Sequence, residues 1–174
     1  LAALPPPYKL IRRWAAARPK AEQAQSERPE PEPQRVRYCV SGDGVRIAYS
    51  ITGTDTGFPI ITTDWPSHLE LDCTGPVWRR MISVLSDGRR LIRYNQRGSG
   101  LSDWNIPSYT FDDHLNDLEA VADAAGATTF DLVGICRSCA DSIAFAVKYP
   151  ARVRRLVLIG GSPAGWSYGT PEQR

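Results

Sequence analysis

The residues best suited to chemistry lie in one short stretch, Leu132-Val133-Gly134-Ile135-Cys136-Arg137-Ser138-Cys139-Ala140. An apolar, β-type run passes there directly into a helical pattern, with a nucleophile-type residue, Cys136, at the corner. A sharp strand-to-helix turn has room only for small side chains two residues before and two after the corner, and Gly134 and Ser138 meet that demand. Cys136 would then project beside the free N–H groups at the start of the helix. That position favours negative charge, on the sulfur or on an oxyanion. The chemistry implied is that of a thiolate beside a helix start able to hold an oxyanion.

The elements that must position this corner can be read along the chain. Val36–Val40 and Val45–Ile51 are β-branched and aromatic runs joined by Ser41-Gly42-Asp43-Gly44, the pattern of a hairpin. Phe58–Thr63 is a third strand and Arg90–Tyr94 a fourth, the latter running into Arg97-Gly98-Ser99-Gly100. Between them, Pro76–Ser86 carries Val77, Met81, Val84 and Leu85 at helical spacing, with Pro76 suited to the first turn. The spacing of Phe111, Leu115, Leu118, Val121, Ala122 and Ala125 predicts a helix capped by Thr110 and Asp113 and stopped by Gly126. Phe130–Ile135 is a strand, Ser138–Tyr149 a helix and Val153–Ile159 a strongly apolar strand. A hairpin followed by alternating strands and helices predicts an α/β fold. Its sheet is mostly parallel, with an N-terminal antiparallel hairpin and helices on both faces. Ligands bind such sheets at the carboxyl ends of the strands, which is where Cys136 falls.

Composition bounds the possibilities. Over 174 residues the hydrophobic set makes up 42% and charged residues 23%, values of a globular chain that exclude wholesale disorder and collagen. No apolar run approaches the roughly 20 residues of a membrane-spanning helix. Residues 1–35 hold seven Lys/Arg against four Glu, a local +3 within a chain total of +2, which leaves 36–174 at −1. Direct nucleic-acid binding by 36–174 is therefore not expected. The same leader holds seven of the fourteen prolines and reads as a disordered tail or a linker from an upstream domain. Four cysteines, Cys39, Cys73, Cys136 and Cys139, without a secretory signal, predict free thiols in a cytoplasmic protein. No metal or cofactor is called for.

At the corner itself, Gly-x-Cys-x-Ser resembles the nucleophile elbow of the α/β-hydrolase fold, usually Gly-x-Ser-x-Gly. The stretch from Ser142 through Tyr149-Pro150-Ala151-Arg152-Val153 to Leu156-Val157-Leu158-Ile159-Gly160 is similar to that family's helix, turn and strand. Leu91–Asp103, with Arg97-Gly98-Ser99-Gly100-Leu101-Ser102-Asp103, resembles its strand and Gly-rich turn, and Asp117–Val121 resembles part of a helix. Order and spacing agree over residues 36–166. Val45–Tyr49, Ser67–Glu70 with Pro76–Arg79, and Gly100–Trp104 resemble a bacterial subgroup often fused behind DNA-binding or nucleotide-cyclase domains.

The resemblance implies the N-terminal part of such a domain, incomplete and ending within the lid region. It would hydrolyse an ester, thioester or lactone once a C-terminal part supplied acid and base, and is expected to be inactive alone. Cys136 would be the nucleophile, with the backbone N–H groups of Arg137 and Trp65 as the oxyanion hole. Asp64 departs from the pattern, because its carboxylate would oppose a developing oxyanion. Asp64 and Trp104 are candidate pocket residues, and Trp65 and Trp78 are core or rim aromatics. A cation at Arg137 could act on Cys136 or face solvent. In the family the catalytic acid and base follow the nucleophile. The two histidines, His68 and His114, both precede it, and His114 is expected on the solvent face of its helix.

Two other readings of the corner stay open. Cys136-x-x-Cys139 also fits a thioredoxin-type redox pair. Alternatively, the domain is a non-catalytic, ligand-sensing or scaffold part of a transcriptional or cyclase-linked regulator.

Overall fold

The computed structural model describes residues 34–63 and 67–161. The Pro-rich leader up to residue 33, the segment at 64–66 and residues 162–174 lie outside the described residues. Strands β1 (Arg35–Val40) and β2 (Arg46–Thr52) form the antiparallel hairpin. Its turn closes through Ser41 N–H to the Val45 carbonyl (2.8 Å) and Gly44 N–H to the Ser41 carbonyl (2.9 Å), with Gly44 at φ 90°. Strands β3 (Ile60–Thr63), β4 (Leu91–Tyr94), β5 (Phe130–Ile135) and β6 (Val153–Ile159) complete a sheet of order β1-β2-β4-β3-β5-β6. β2 meets β4 antiparallel, whereas β4, β3, β5 and β6 run parallel to one another.

That order places the site. From β3 the chain moves to β4 on one side, and from β5 it moves to β6 on the other. The direction of winding therefore reverses between β3 and β5, and the crevice at their carboxyl ends is the place where such sheets bind ligands.

Side chains alternating along the strands build a core on each face. Ile61, Ile92, Phe130 and Leu132 meet Leu115, Leu118 and Val121 of α3 (Phe111–Ala124) and Phe145 of α4 (Cys139–Lys148). On the other face Ile60, Leu91 and Val133 meet Ile82 of α2 (Pro76–Leu85). Helix α3 starts where its capping residues require. Thr110 Oγ1 accepts from the Asp113 N–H (3.3 Å) and the Asp113 carboxylate accepts from the Thr110 N–H (2.8 Å).

Several expectations shift in detail. Val84 and Phe111, placed in the apolar stripes by spacing, are exposed, and Ile82 takes the buried position in α2. β3 begins at Ile60, leaving Phe58 exposed. A one-turn helix α1 (Leu69–Asp72) had no counterpart in the sequence reading, since one turn is too short to show a period. Its Asp72 pairs with Arg93, a fully buried arginine of β4.

The loop after β4 is held by two polar side chains. Asn95 accepts from the Leu101 N–H (3.0 Å) and donates to the Ser67 carbonyl (2.7 Å). Gly100, at φ 52°, is required where a Cβ would collide with the Asn95 amide. Arg97, also buried, forks onto Asp117 (2.8 and 2.7 Å) and Asp43 (2.7 and 3.2 Å). It thereby ties the hairpin turn, this loop and α3 together.

The Arg97 hydrogen bond holds the Asp43 carboxyl below its ordinary 3.8. The Thr110 N–H, with Ser108 and Thr110 hydroxyls, draws the Asp113 carboxyl down to about 2. Depressed carboxyl groups stabilise the fold above their unfolded value, and that contribution is lost as pH falls through the folded value. The urea midpoint should therefore hold level from about pH 7 to about pH 5 and fall between about pH 4 and about pH 2, with a shallower fall in Asp113→Asn. An Asp113→Asn protein with the same acid slope as the parent would contradict this assignment.

Candidate functional site

β5 ends at Ile135, and the next residue, Cys136, takes φ 53°. Among the described residues it is the one non-glycine with positive φ. A left-handed backbone at a residue with a Cβ costs roughly 1–2 kcal/mol, so the surroundings must impose it. A single 3₁₀ turn, Cys136–Ser138, then leads into α4. The N–H of Arg137 lies in that turn, among the first N–H groups of a helix, which have no partner within it.

The surroundings are close-packed and hydrogen-bonded. A Cβ on Gly134 would lie 2.6 Å from Ser142 Oγ and 3.0 Å from Cys139 Cα, so only glycine fits. Ser138 is buried and does more than fit. Its hydroxyl accepts from the Ile135 N–H (3.1 Å) and donates to the Thr63 carbonyl at the end of β3. Thr63 Oγ1 lies 2.6 Å from Ser142 Oγ, which donates to the Ser138 carbonyl (2.9 Å). The ends of β3 and β5 are thus stitched together directly beneath Cys136.

Cys136 is half-buried, beside the residues that follow β6. A Cβ on Gly160, itself at φ 65°, would come 3.8 Å from Cys136 Sγ, and one on Gly161 would collide with Cys139. These two glycines were missed as site residues. The available signal was a Gly-Gly pair immediately after an apolar strand at the carboxyl end of the sheet. Cys139 is buried, and its Sγ donates to the Gly134 carbonyl (3.3 Å). All four thiols are free. Burial, reinforced by Asp117, pushes the Cys39 thiol up to about 11, and burial raises that of Cys73.

Arg137 is exposed, and its guanidinium turns toward the carboxyl end of β4. Nη2 donates to Gln96 Oε1 (2.6 Å) and to the Tyr109 hydroxyl (3.0 Å). Neither partner stood out in the sequence, because only the topology brings residues 96, 109 and 137 together. Trp104 lies on the surface of the Gly-rich turn, its indole N–H donating to the Gly100 carbonyl (3.0 Å). Asp64 and Trp65, the expected pocket residue and second oxyanion donor, lie outside the described residues.

His114 corrects an expectation. It is buried, not solvent-facing, with Nδ1 3.3 Å from Asp141 Oδ2 of α4 and its ring edge-on to Tyr109 at 4.7 Å. The helical period locates the apolar stripe of α3. The packing of α4 against a second stripe decides the fate of His114. His68 is half-buried at the start of α1. Among the described residues no group of His, Cys, Asp and Glu could hold a metal ion, and no helix is long and apolar enough to cross a membrane.

The family defined by the alpha/beta hydrolase fold matches residues 57–174, more than half of the chain. This chain belongs to the α/β-hydrolase fold family. Among its curated relatives is the 2-hydroxy-6-oxononadienedioate/2-hydroxy-6-oxononatrienedioate hydrolase of Escherichia coli. It is 33% identical over 138 residues, which is 79% of this chain and 43% of that protein. The pyrrolizixenacetamide deacetylase of Xenorhabdus hominickii is 32% identical over 115 residues, covering 66% of this chain and 41% of that one. The chain thus spans about two fifths of the length of these α/β hydrolases (43% and 41%). Among solved structures, a meta-cleavage product hydrolase from Pseudomonas fluorescens superposes with TM-score 0.61 at 25% identity. That match covers 72% of this chain and 45% of that one.

The packing at the elbow makes a prediction. Gly134→Ala must push the Cys139 backbone or Ser142 aside and should destabilise the domain by about 1–3 kcal/mol. A denaturant midpoint equal to that of the parent would show the junction to be looser than these contacts require.

Proposed function

We propose that this α/β-hydrolase domain cleaves a carboxylic ester, thioester or lactone by acyl transfer to Cys136. The observation that carries the reading is the left-handed backbone at Cys136, φ 53° between β5 and α4. Strain of this size is concentrated at functional sites, and here it presents the one half-buried thiol of the Cys136/Cys139 pair at the carboxyl end of the sheet. Cys136 Sγ attacks the acyl carbonyl. The N–H groups of Arg137 and Trp65 receive the oxyanion, the C–O or C–S bond breaks, and a thioester forms on Cys136. Water then releases the acid.

The second step needs a general base. His114 is buried between two helices with Nδ1 3.3 Å from Asp141 Oδ2, and the acylation half of the cycle is the part proposed for the present chain. The hydrolase and deacetylase names of the relatives favour hydrolytic chemistry in general. The likeness to proteins fused behind DNA-binding or cyclase domains adds that the substrate, or its product, reports to a regulatory partner in the cytoplasm.

The test is single-turnover acylation with 4-nitrophenyl acetate. The expected result is one equivalent of nitrophenolate released without turnover, and an acetyl group on Cys136 by peptide mass spectrometry. Cys136→Ala should abolish both. Acetyl groups confined to other residues, or no burst, would overturn the assignment and favour a domain that binds ligand without reacting with it.

A further inference from the structure

Arg137 differs from the arginines that hold the fold together. Arg93, Arg97, Arg152 and Arg154 each lie within 4.0 Å of a carboxylate. No carboxylate among the described residues lies in ion-pair range of Arg137, although its guanidinium is not loose. Its Nη2 is fixed by two neutral acceptors, Gln96 Oε1 at 2.6 Å and the Tyr109 hydroxyl at 3.0 Å, with the Tyr109 ring centroid 5.9 Å from Cζ.

Those acceptors are themselves held. Gln96 is buried on the loop after β4. Tyr109 stacks edge-on against His114, which is buried against Asp141. Nη2 spends its two N–H groups on these contacts. The three N–H donors of Nε and Nη1 have no acceptor among the described residues, so the group keeps both its charge and most of its fork. An arginine fixed by neutral partners, one residue beyond the nucleophile and at the carboxyl end of the sheet, is arranged as an anion receptor.

We infer that Arg137 selects the acyl substrate. The geometry favours acyl groups whose far end carries a carboxylate, bound by Nη1 and Nε while the scissile carbonyl lies at Cys136. This rests on the acyl-transfer reading and adds a substrate class to it: the half-esters and half-thioesters of dicarboxylic acids. Gln96 and Tyr109 act as positioning residues for the guanidinium. In the step itself the Cys136 thiol gives its proton to solvent, the S–C bond forms, and the C–O or C–S bond breaks with its electron pair leaving on the alcohol or thiol, which takes a proton from solvent where it is basic enough.

The experiment compares two reagents of equal length, mono-4-nitrophenyl adipate and its methyl ester, as acyl donors to the intact chain. Formation of S-acyl Cys136 is followed by nitrophenolate release and peptide mass spectrometry. The readout is the ratio of the two rates, which cancels any change common to both. The carboxylate reagent should react about tenfold faster, the gain expected of a charge-assisted hydrogen bond at a partly exposed site. The ratio should fall toward one in Arg137→Gln and at high salt, drop partway in Tyr109→Phe, and be partly kept in Arg137→Lys.

If both reagents acylate Cys136 at equal rates, or the ratio survives Arg137→Gln, the anion subsite is overturned and acyl transfer stands. If neither acylates Cys136, the nucleophile assignment falls and the subsite with it.

Discussion

The structure depends on one constraint, the reversal of the chain within three residues between β5 and α4. Cys136 can hold φ 53° only because everything around it leaves no other path. Gly134 lets α4 approach β5 to within contact of its backbone, and the Ser138 hydroxyl clamps the turn to the Thr63 carbonyl. The Thr63–Ser142 hydroxyl pair closes the arrangement from the other side. Each of these groups is buried, so each hydrogen bond also avoids the penalty of an orphaned polar atom. The clamp does a second job. It joins the end of β3 to the elbow through the Thr63 carbonyl. The strand order thus brings the ends of β3 and β5 together at Cys136.

Charge placement follows a similar division. Arg97 and Arg93 are buried and paired with carboxylates. Arg97 fastens the hairpin turn to α3, and Arg93 fastens α1 to β4. Buried pairs of this kind are weak sources of net stability, because desolvation offsets most of the attraction. Their effect is to tie the hairpin turn, the loop after β4 and two helices to fixed partners. The loop after β4 is held by Asn95 and Arg97 on either side of Gln96, which accepts from Arg137.

Most of the fold was legible in the sequence, for local reasons. β5 and β6 are near-continuous runs of apolar residues, α3 carries a capping box and a terminal glycine, and the hairpin turn carries two glycines; each signal lies within a few residues of the element it specifies. The elbow was legible because its demand for small residues at 134 and 138 is steric and local. What stayed hidden was tertiary. α1 is a single turn. His114 looks like a solvent residue until α4 packs over it, and Gln96 and Tyr109 become partners of Arg137 only when three distant segments meet. The buried face of α2 was misjudged for a similar reason, since Val84 and Ile82 fit an apolar stripe about equally well until the sheet chooses between them.

The two edges of the sheet differ in a way that bears on the site. β1 is written as an edge, with Arg35 and Arg37 on it, the usual defence against unwanted pairing. β6 is written as an interior strand. Leu156, Val157, Leu158 and Ile159 run without a charge, yet all are exposed among the described residues. A parallel strand of this composition is matched to cover on both faces. Its carboxyl end delivers Gly160 and Gly161 against Cys136 and Cys139. β6 thus flanks the thiol on the side opposite Gln96. Among the described residues the elbow has one cationic flank, at Arg137, and one apolar flank, at β6. An acyl chain entering between them would meet its charge partner on the first flank and its hydrophobic wall on the second.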